Sequence, residues 1–451
     1  MAGHTPIAIV GAGYSGTALA VRLLEADPGV EVVLIERSGV FGRGLAYSTP
    51  YQSHLLNVRS GRMSWRSDDP GHFVRWLEAA GLDDPDPEGF ARRATYGRYL
   101  QDLLDEAAAR AGGRLSRVEG EAVAVRMAGE RATAVLADGT RIEADRVVIA
   151  TGNPPPDAPP GAAAASRRID DPWAPGALAS IGLDEDVALV GTGLTAIDVL
   201  LALQERGWRG RATALSRRGL LPRPHDRGQR HVEADPPPRA SLSLGLRAFR
   251  REARTAPWGE LMDRLRPHGQ ALWARLDGRE RRRFLEHLRA WWDVHRHRTA
   301  PRIGEAVSAM VEEGRLSVAA GRIRSVVEEA DGLTVVWRPR GAARDSSLRA
   351  GRLVTCTGPL ADPARSTDRL TADLLGAGLA RPDPLRLGLD VDERCRLIGR
   401  DGAANERLYA LGPPTRGRFW EIVAVPDIRD QAARLAAELV RAQTPEMVSE
   451  T

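Results

Sequence analysis

Two glycine runs carry the most specific chemistry in this chain. Gly11-Ala12-Gly13-Tyr14-Ser15-Gly16 follows an apolar strand from Ile7 to Val10, and Gly191-Thr192-Gly193-Leu194-Thr195-Ala196 follows another from Val187 to Val190. Each is in turn followed by an apolar-periodic helix and a further strand, so each predicts a βαβ start. In such a unit the first glycine permits the strand-to-helix turn and the second lets backbone approach a pyrophosphate. Gly16 lets helix pack on strand, and the helix N-terminus offers unpaired N–H groups to the phosphates. Ser15 and Thr195 stand in those helix openings. Glu36 ends the strand after the first loop, 25 residues beyond Gly11, where a carboxylate accepts the hydroxyls of an adenosine ribose; Arg37 follows it.

The second loop repeats the spacing with a different outcome. The position 25 residues beyond Gly191 is Ser216, followed by Arg217 and Arg218. A carboxylate there would repel a ribose 2′-phosphate, whereas a hydroxyl beside guanidinium groups would bind it through charge-assisted hydrogen bonds. The second loop is therefore expected to take NADPH rather than NADH, the alternative for both arginines being solvated charge at a strand end.

These loops require two α/β domains of the Rossmann-like kind, and 451 residues accommodate them. Prolines at 154–156 and the stretch Pro159 to Ala165 predict an inter-domain crossing. Strands ending at Thr151-Gly152, Thr357-Gly358 and Leu411-Gly412 suggest a first domain of residues 1–160 and 340–451. A second domain, 165–340, is then inserted in it, with a helical, Arg- and Trp-rich insertion at 243–300 broken near Pro257, Pro267 and Gly278. A helix from about Asp427 to Ala442 closes the chain.

Composition narrows the chemistry. The 64 basic residues counted as Lys plus Arg are all arginine, which excludes Schiff-base lysines and a P-loop lysine. Basic and acidic residues are interleaved and net charge is only +4, which gives nucleic-acid binding little support. Cys356 and Cys395 are far apart with no C-x-x-C, so neither a zinc site nor a dithiol redox pair is expected, and no metal is predicted. No apolar run is long enough to span a bilayer and no leader pattern precedes Ile7, so the expected setting is the cytoplasm.

The sequence resembles the bacterial FAD/NAD(P)-binding flavoproteins related to class B flavin monooxygenases, amino-acid N-hydroxylases and nitrosuccinate synthases. The resemblance rests on the first glycine loop, Phe41 to Ser48, His54-Leu55-Leu56-Asn57-Val58, the second loop through Asp198, Trp291 to Arg298, and Gly417 to Ile422. It implies FAD on the first loop, with Gly42, Gly44, His54, Asn57 and Met63 passing along the flavin, Gly152 at the strand end, and the helix at Pro426-Asp427 pointing to the flavin. The Gly-Asp pair of many disulfide-reductase relatives is missing. Baeyer–Villiger enzymes carry an F-x-G-x-x-x-H-x-x-x-W signature between the loops; here Ile169-Asp170-Asp171-Pro172-Trp173 has the tryptophan without the histidine.

The implied activity is therefore NADPH-driven oxygenation of a small amine or amino acid by O2, through a C4a-hydroperoxyflavin. An oxidase or reductase without oxygen insertion and a non-catalytic flavin sensor are the alternatives. Substrate-side chemistry is expected on Trp291 to Arg298, where His295 or His297 could donate a proton and Arg296 or Arg298 clamp a carboxylate. The same segment could instead hold coenzyme phosphate, or be tryptophan core with a solvated face. His225 and Asp226 could belong to the coenzyme pocket.

Overall fold

The computed structural model describes residues 6–129, 131–156, 166–226 and 241–443; the expected crossing at Pro159 to Ala165 lies outside them. The chain divides into two compact units. The first holds residues 1–49, 59–154 and 361–451, the second 50–58 and 155–360.

The first unit is built on a six-stranded sheet. Its order is Arg396–Ile398, Ala404–Ala410, Arg146–Ile149, Ile7–Val10, Val32–Glu36 and Leu115–Glu119, parallel except for the antiparallel edge strand Arg396–Ile398. Ile7–Val10 and Arg146–Ile149 are buried at every residue, the aliphatic run of the first and Val147, Val148 and Ile149 of the second being typical of strands covered on both faces. Helix Tyr14–Ala26 packs between helices Arg93–Ala111 and Val425–Gln443. On the other side, a three-stranded antiparallel sheet (Ala122–Ala128, Arg131–Leu136, Arg141–Ala144) and helix Arg369–Gly376 enclose a core that includes Val10, Val125, Val147, Leu374 and Leu408.

The second unit repeats the plan with seven strands. Their order is Ser346–Ala350, Gly332–Pro339, Leu316–Glu329, Ala212–Ser216, Val187–Val190, Arg352–Thr355 and Arg168–Ile169. The five from Leu316–Glu329 onward run parallel, and the first two add an antiparallel meander. Both sheets are thus of the Rossmann-like type. The insertion folds as helices Leu242–Glu252, Trp258–Leu265, Gly269–Arg275, Gly278–Arg283 and Arg289–Arg296. Pro257 precedes the second, a 3-10 turn at Arg266–His268 holds Pro267, and Asp277 caps the fourth by accepting from the Glu280 N–H.

The return to the first unit comes at Ala361, not near residue 340. Arg352–Thr355 is responsible: it pairs in parallel with Val187–Val190, Arg352 beside Val187 and Thr355 beside Val190, and so belongs to the second sheet. The Thr-Gly endings at 151–152 and 357–358 are equivalent elements of two copies, each beside its own glycine loop. A second difference concerns residues 50–58, which fold into the second unit. The Glu205 carboxylate accepts the backbone N–H groups of Gln52 and Ser53 at 3.0 and 2.9 Å, and the buried His54 ring meets the Asp198 carbonyl at 2.8 Å.

Candidate functional site

At Gly11 and Gly16 the first loop has room for glycine alone. Gly11 has φ +103°, and a methyl group there would lie 2.5 Å from the Ala150 carbonyl oxygen, at the end of Arg146–Ile149. A methyl on Gly16 would collide with the Gly11 carbonyl. Gly44 has φ +54° and packs on Gly13, a methyl on it reaching the Gly13 Cα at 2.8 Å; the Gly42 N–H donates to the Ala12 carbonyl at 2.8 Å. The segment after the ribose-binding acid is thereby held against the loop that precedes helix Tyr14–Ala26.

Glu36 is buried at the end of its strand. Its Oε2 accepts the Ala12 N–H at 2.9 Å, and its Oε1 accepts the Ser38 N–H at 3.0 Å and the Ser38 hydroxyl at 2.9 Å. Of the roughly four acceptor positions of a carboxylate, about one is left, enough for a single ribose hydroxyl rather than two. Arg37 is exposed beside it, and Ser15 is buried. Gly152 takes φ +75° beyond the strand end, and Met63 is buried with its carbonyl accepting the Tyr96 hydroxyl at 2.9 Å.

Sequence reasoning missed Gln431. Buried on helix Val425–Gln443, its Oε1 accepts the Gly412 N–H at 2.9 Å and its Nε2 donates to Thr415 Oγ1 at 3.0 Å. Gly412, at φ +74°, has no room for a methyl beside Ser15 Oγ. A lone glutamine two turns into an amphipathic helix carries no signal of this. Glu421, in the same closing segment, is held at φ +63°, a strained conformation for a residue with a side chain.

The second loop has the same construction. Gly191 has φ +123°, and a methyl group on it would meet the Cys356 carbonyl, its carbon at 2.7 Å. Gly193 caps helix Leu194–Glu205, and a methyl there would meet nothing within 4 Å. Gly193 is thus dispensable to packing and leaves space where backbone N–H groups can face a phosphate. Thr195 is half-buried in the first turn.

Ser216 is occupied within the protein. Its Oγ accepts the Gly219 N–H at 2.9 Å and lies 2.9 Å from Thr192 Oγ1, which donates to the Leu220 carbonyl at 2.5 Å. The hydroxyl expected at the 2′-phosphate therefore ties the loop to the turn at 216–220. Arg218 reaches toward the carbonyls of Glu286 and His287, each at 3.5 Å. Arg217 is exposed at the strand end, with no hydrogen-bond or ion partner among the described residues.

Within the second unit three separate sequence candidates come together. Segment 223–225 runs beside 294–299: the Arg223 N–H donates to the Val294 carbonyl at 2.9 Å, the Thr299 N–H to Arg223 at 3.0 Å, and the His225 N–H to Thr299 at 2.9 Å. The His225 ring lies 3.0 Å from the Asn57 carbonyl. The His54 ring thus makes its contacts within the second unit, also standing edge-on to Trp173 at 5.9 Å, while Asn57 contributes its backbone carbonyl and not its side chain.

The helix Arg289–Arg296 and the two residues after it carry the remaining candidates. His295 Nδ1 bonds to the Trp291 carbonyl at 2.7 Å and its ring stands edge-on to Trp258 at 4.7 Å, so one of its two nitrogens is committed. His297 Nε2 lies 4.0 Å from Asp293 Oδ1, and Arg296 is half-buried. Arg298, expected as an alternative to Arg296 for clamping a carboxylate, is buried in an ion pair with Asp263 and lies over Trp258 at 5.9 Å. Burial lowers the pKa of its guanidinium, with Asp263 opposing. Trp291 is 45% exposed and is not core.

The two cysteines are inert. Cys356 is buried in the second unit and Cys395 in the first, and burial pushes both thiols up, Cys395 to about 12.

Residues 8–154, about a third of the chain, match the family described as FAD-NAD(P)-binding. No curated protein matches the sequence. Among solved structures, the ornithine N-hydroxylase of Kutzneria sp. 744, solved with reduced FAD, NADP+ and L-ornithine, is similar with a TM-score of 0.69 at 15% identity, covering 98% of this chain and 100% of that one. L-lysine 6-monooxygenase from Pseudomonas syringae is similar at 0.67 and 16%, covering 98% and 100%. The bacillithiol disulfide reductase of Staphylococcus aureus follows at 0.58 and 13%, covering 98% and 99%. The chain shares the fold of these proteins.

Proposed function

We propose that this chain is an FAD-dependent monooxygenase, reduced by NADPH, that transfers one oxygen atom of O2 to the nitrogen of a small amine or amino acid. The observation that carries the two-cofactor core of this reading is the duplicated loop. In two separate sheets, a glycine at positive φ is pressed against the carbonyl ending a neighbouring parallel strand, and a helix N-terminus opens beside it.

The first unit fits FAD. Gly11 to Ser15 and the start of helix Tyr14–Ala26 would hold the pyrophosphate, and Glu36 one ribose hydroxyl. When bound, flavin accepts hydride from nicotinamide and, once reduced, reacts with O2. In the second unit, Gly191 to Thr195 and Arg217 would hold NADPH. Arg296, half-buried, would supply positive charge for a substrate carboxylate, and His225 and His297 are the nearby groups able to move a proton.

The shared fold includes amino-acid hydroxylases and disulfide reductases, and the cysteines favour the former. A dithiol disulfide reductase needs a pair of reactive thiols, whereas here each unit holds a single cysteine, buried and with its thiol kept protonated. The implied partners are O2 and a small-molecule substrate, in the cytoplasm, where NADPH is supplied.

The deciding experiment is a balance of NADPH consumed, hydrogen peroxide released and product formed across a panel of amines and amino acids under 18O2. A substrate should lower the peroxide yield and gain one labelled oxygen on nitrogen. Complete recovery of NADPH equivalents as peroxide with every compound would replace this reading with an oxidase.

A further inference from the structure

A file of aromatic rings runs from the first glycine loop to the surface of the first unit. Tyr14, the residue after Gly13, has its ring 6.4 Å from Tyr96; Tyr96 is 5.4 Å from Tyr99, and Tyr99 is 5.4 Å from Trp76. Tyr47, on the turn that packs Gly44 against Gly13, stands edge-on to Tyr96 at 4.8 Å. Four of the chain's six tyrosines lie in this one file, so packing alone does not account for it: leucine or phenylalanine would fill the space without burying hydroxyls. At its outer end Trp76 is half-buried, donates its indole N–H to Asp102 at 3.2 Å, and lines an open surface cavity with Ala80, Leu82 and Arg98.

The three buried tyrosines of the file differ in what their hydroxyls meet. A phenol that loses an electron becomes a strong acid, so the electron leaves readily only where a base takes the proton. The Tyr96 hydroxyl donates to the Met63 carbonyl, which is no base, and the buried Tyr14 hydroxyl has no hydrogen-bond partner among the described residues. Tyr99 differs. Its hydroxyl lies 2.8 Å from His72 Nδ1 and its oxygen accepts the Trp65 N–H at 3.3 Å, so in the imidazole tautomer protonated on Nε2 the phenol donates to His72 Nδ1. Burial raises the Tyr99 phenol above its ordinary value and lowers His72, so the pair rests as neutral phenol and neutral imidazole, ready for that transfer.

We propose that Tyr99 and His72 form a redox-active pair that drains one-electron oxidants from the flavin site to the surface. A hydroxyl radical, formed when reduced flavin passes one electron to hydrogen peroxide, takes one electron relayed from Tyr99 through Tyr96 and Tyr14 and leaves as hydroxide. The Tyr99 O–H bond breaks, its proton goes to His72 Nδ1, and a neutral tyrosyl radical remains. A small reductant of the thiol or ascorbate class, seated in the cavity at Trp76, returns one electron through the indole, and the proton returns from His72. The pair would thereby spare the residues around the substrate from oxidation. This rests on the flavin reading for the source of the oxidant.

The test uses the full chain loaded with FAD, with a blue laser flash making the flavin itself the one-electron oxidant. The readouts are the tyrosyl band in transient absorption and the freeze-trapped radical signal. The long-lived tyrosyl signal should be lost in Tyr99→Phe and His72→Gln, with the FAD content unchanged. In Trp76→Phe it should persist and be quenched more slowly by ascorbate. An undiminished signal in Tyr99→Phe and His72→Gln would overturn the proposal, and His72→Gln decides alone if Tyr99→Phe does not fold. If the chain binds no FAD, the flavin reading fails separately. The pair is then judged with a photo-excited ruthenium polypyridyl and persulfate as external oxidant, where an equal signal in wild type and His72→Gln refutes it.

Discussion

Placing one methyl group in each glycine loop separates what the two loops hold. At Gly191, alanine must adopt φ +123° or force the turn open, and its methyl would sit 2.7 Å from the Cys356 carbonyl carbon, where carbon atoms pack best at about 3.5–4.0 Å. Val187–Val190 and Arg352–Thr355 would have to part by close to ~1 Å at their C-terminal ends, although they are hydrogen-bonded neighbours in the sheet. The backbone strain costs about 1–3 kcal/mol. Overpacking costs about another 1–3 kcal/mol, giving ~2–6 kcal/mol together. At about 1.4 kcal/mol per tenfold, the lower bound alone corresponds to a ~30-fold loss if it falls on coenzyme binding. Gly191→Ala should therefore retain FAD, measured by bound flavin per chain. Its kcat/KM for anaerobic flavin reduction by NADPH should fall by ~30-fold or more on the same arithmetic. Gly11→Ala, with φ +103° and the Ala150 oxygen at 2.5 Å, should instead lose FAD. A folded Gly191→Ala protein with an unchanged Tm and an unchanged kcat/KM would refute the reasoning.

Arg217→Ala should raise KM for NADPH and leave NADH unaffected. A charge-assisted hydrogen bond of about 1.5–3 kcal/mol, reduced to ~1 kcal/mol by solvent screening of this exposed side chain, predicts roughly a fivefold effect in steady-state kinetics. Ser216→Ala, which loosens the turn at 216–220, should affect both coenzymes alike, and a change confined to NADPH would return Ser216 to the phosphate site. Removing Arg298 strands the carboxylate of Asp263 in the interior, so Arg298→Met should cost about 3–5 kcal/mol in denaturant unfolding, and Arg298→Met with Asp263→Leu should recover most of it. For His72, burial holds the folded-state pKa below the unfolded value of about 6.5. Its contribution is complete above that value and is lost as pH falls through the folded pKa, so the Tm of wild type should drop toward acid more steeply than that of His72→Gln.

The βαβ starts were legible because glycine at fixed spacing between a buried strand and a helix has a direct steric meaning. In the structure Gly11, Gly16 and Gly191 each lack room for a single carbon. The equivalence of the two Thr-Gly strand endings was not legible. Arg352–Thr355 has the same apolar character whichever sheet it enters, and only its pairing with Val187–Val190 assigns it. His54 shows the limit for side chains. It lies between two segments of the first unit in sequence, yet its ring is spent on the Asp198 carbonyl far along the chain.

What the sequence by itself determined is local: two dinucleotide-type turns, an acid after one and arginines after the other, and the absence of lysine and of a paired thiol. These follow from covalent spacing and from steric limits that operate within a few residues. The tertiary structure alone decided which hydroxyls and rings remain available to a ligand. Ser216 and Glu36 have the right side chains, but Thr192 Oγ1 and the Ala12 N–H, each 24 residues away in the chain, already occupy part of their hydrogen-bonding capacity. Hydrogen-bonding capacity is finite, and how much of it the fold consumes depends on contacts that no local pattern encodes.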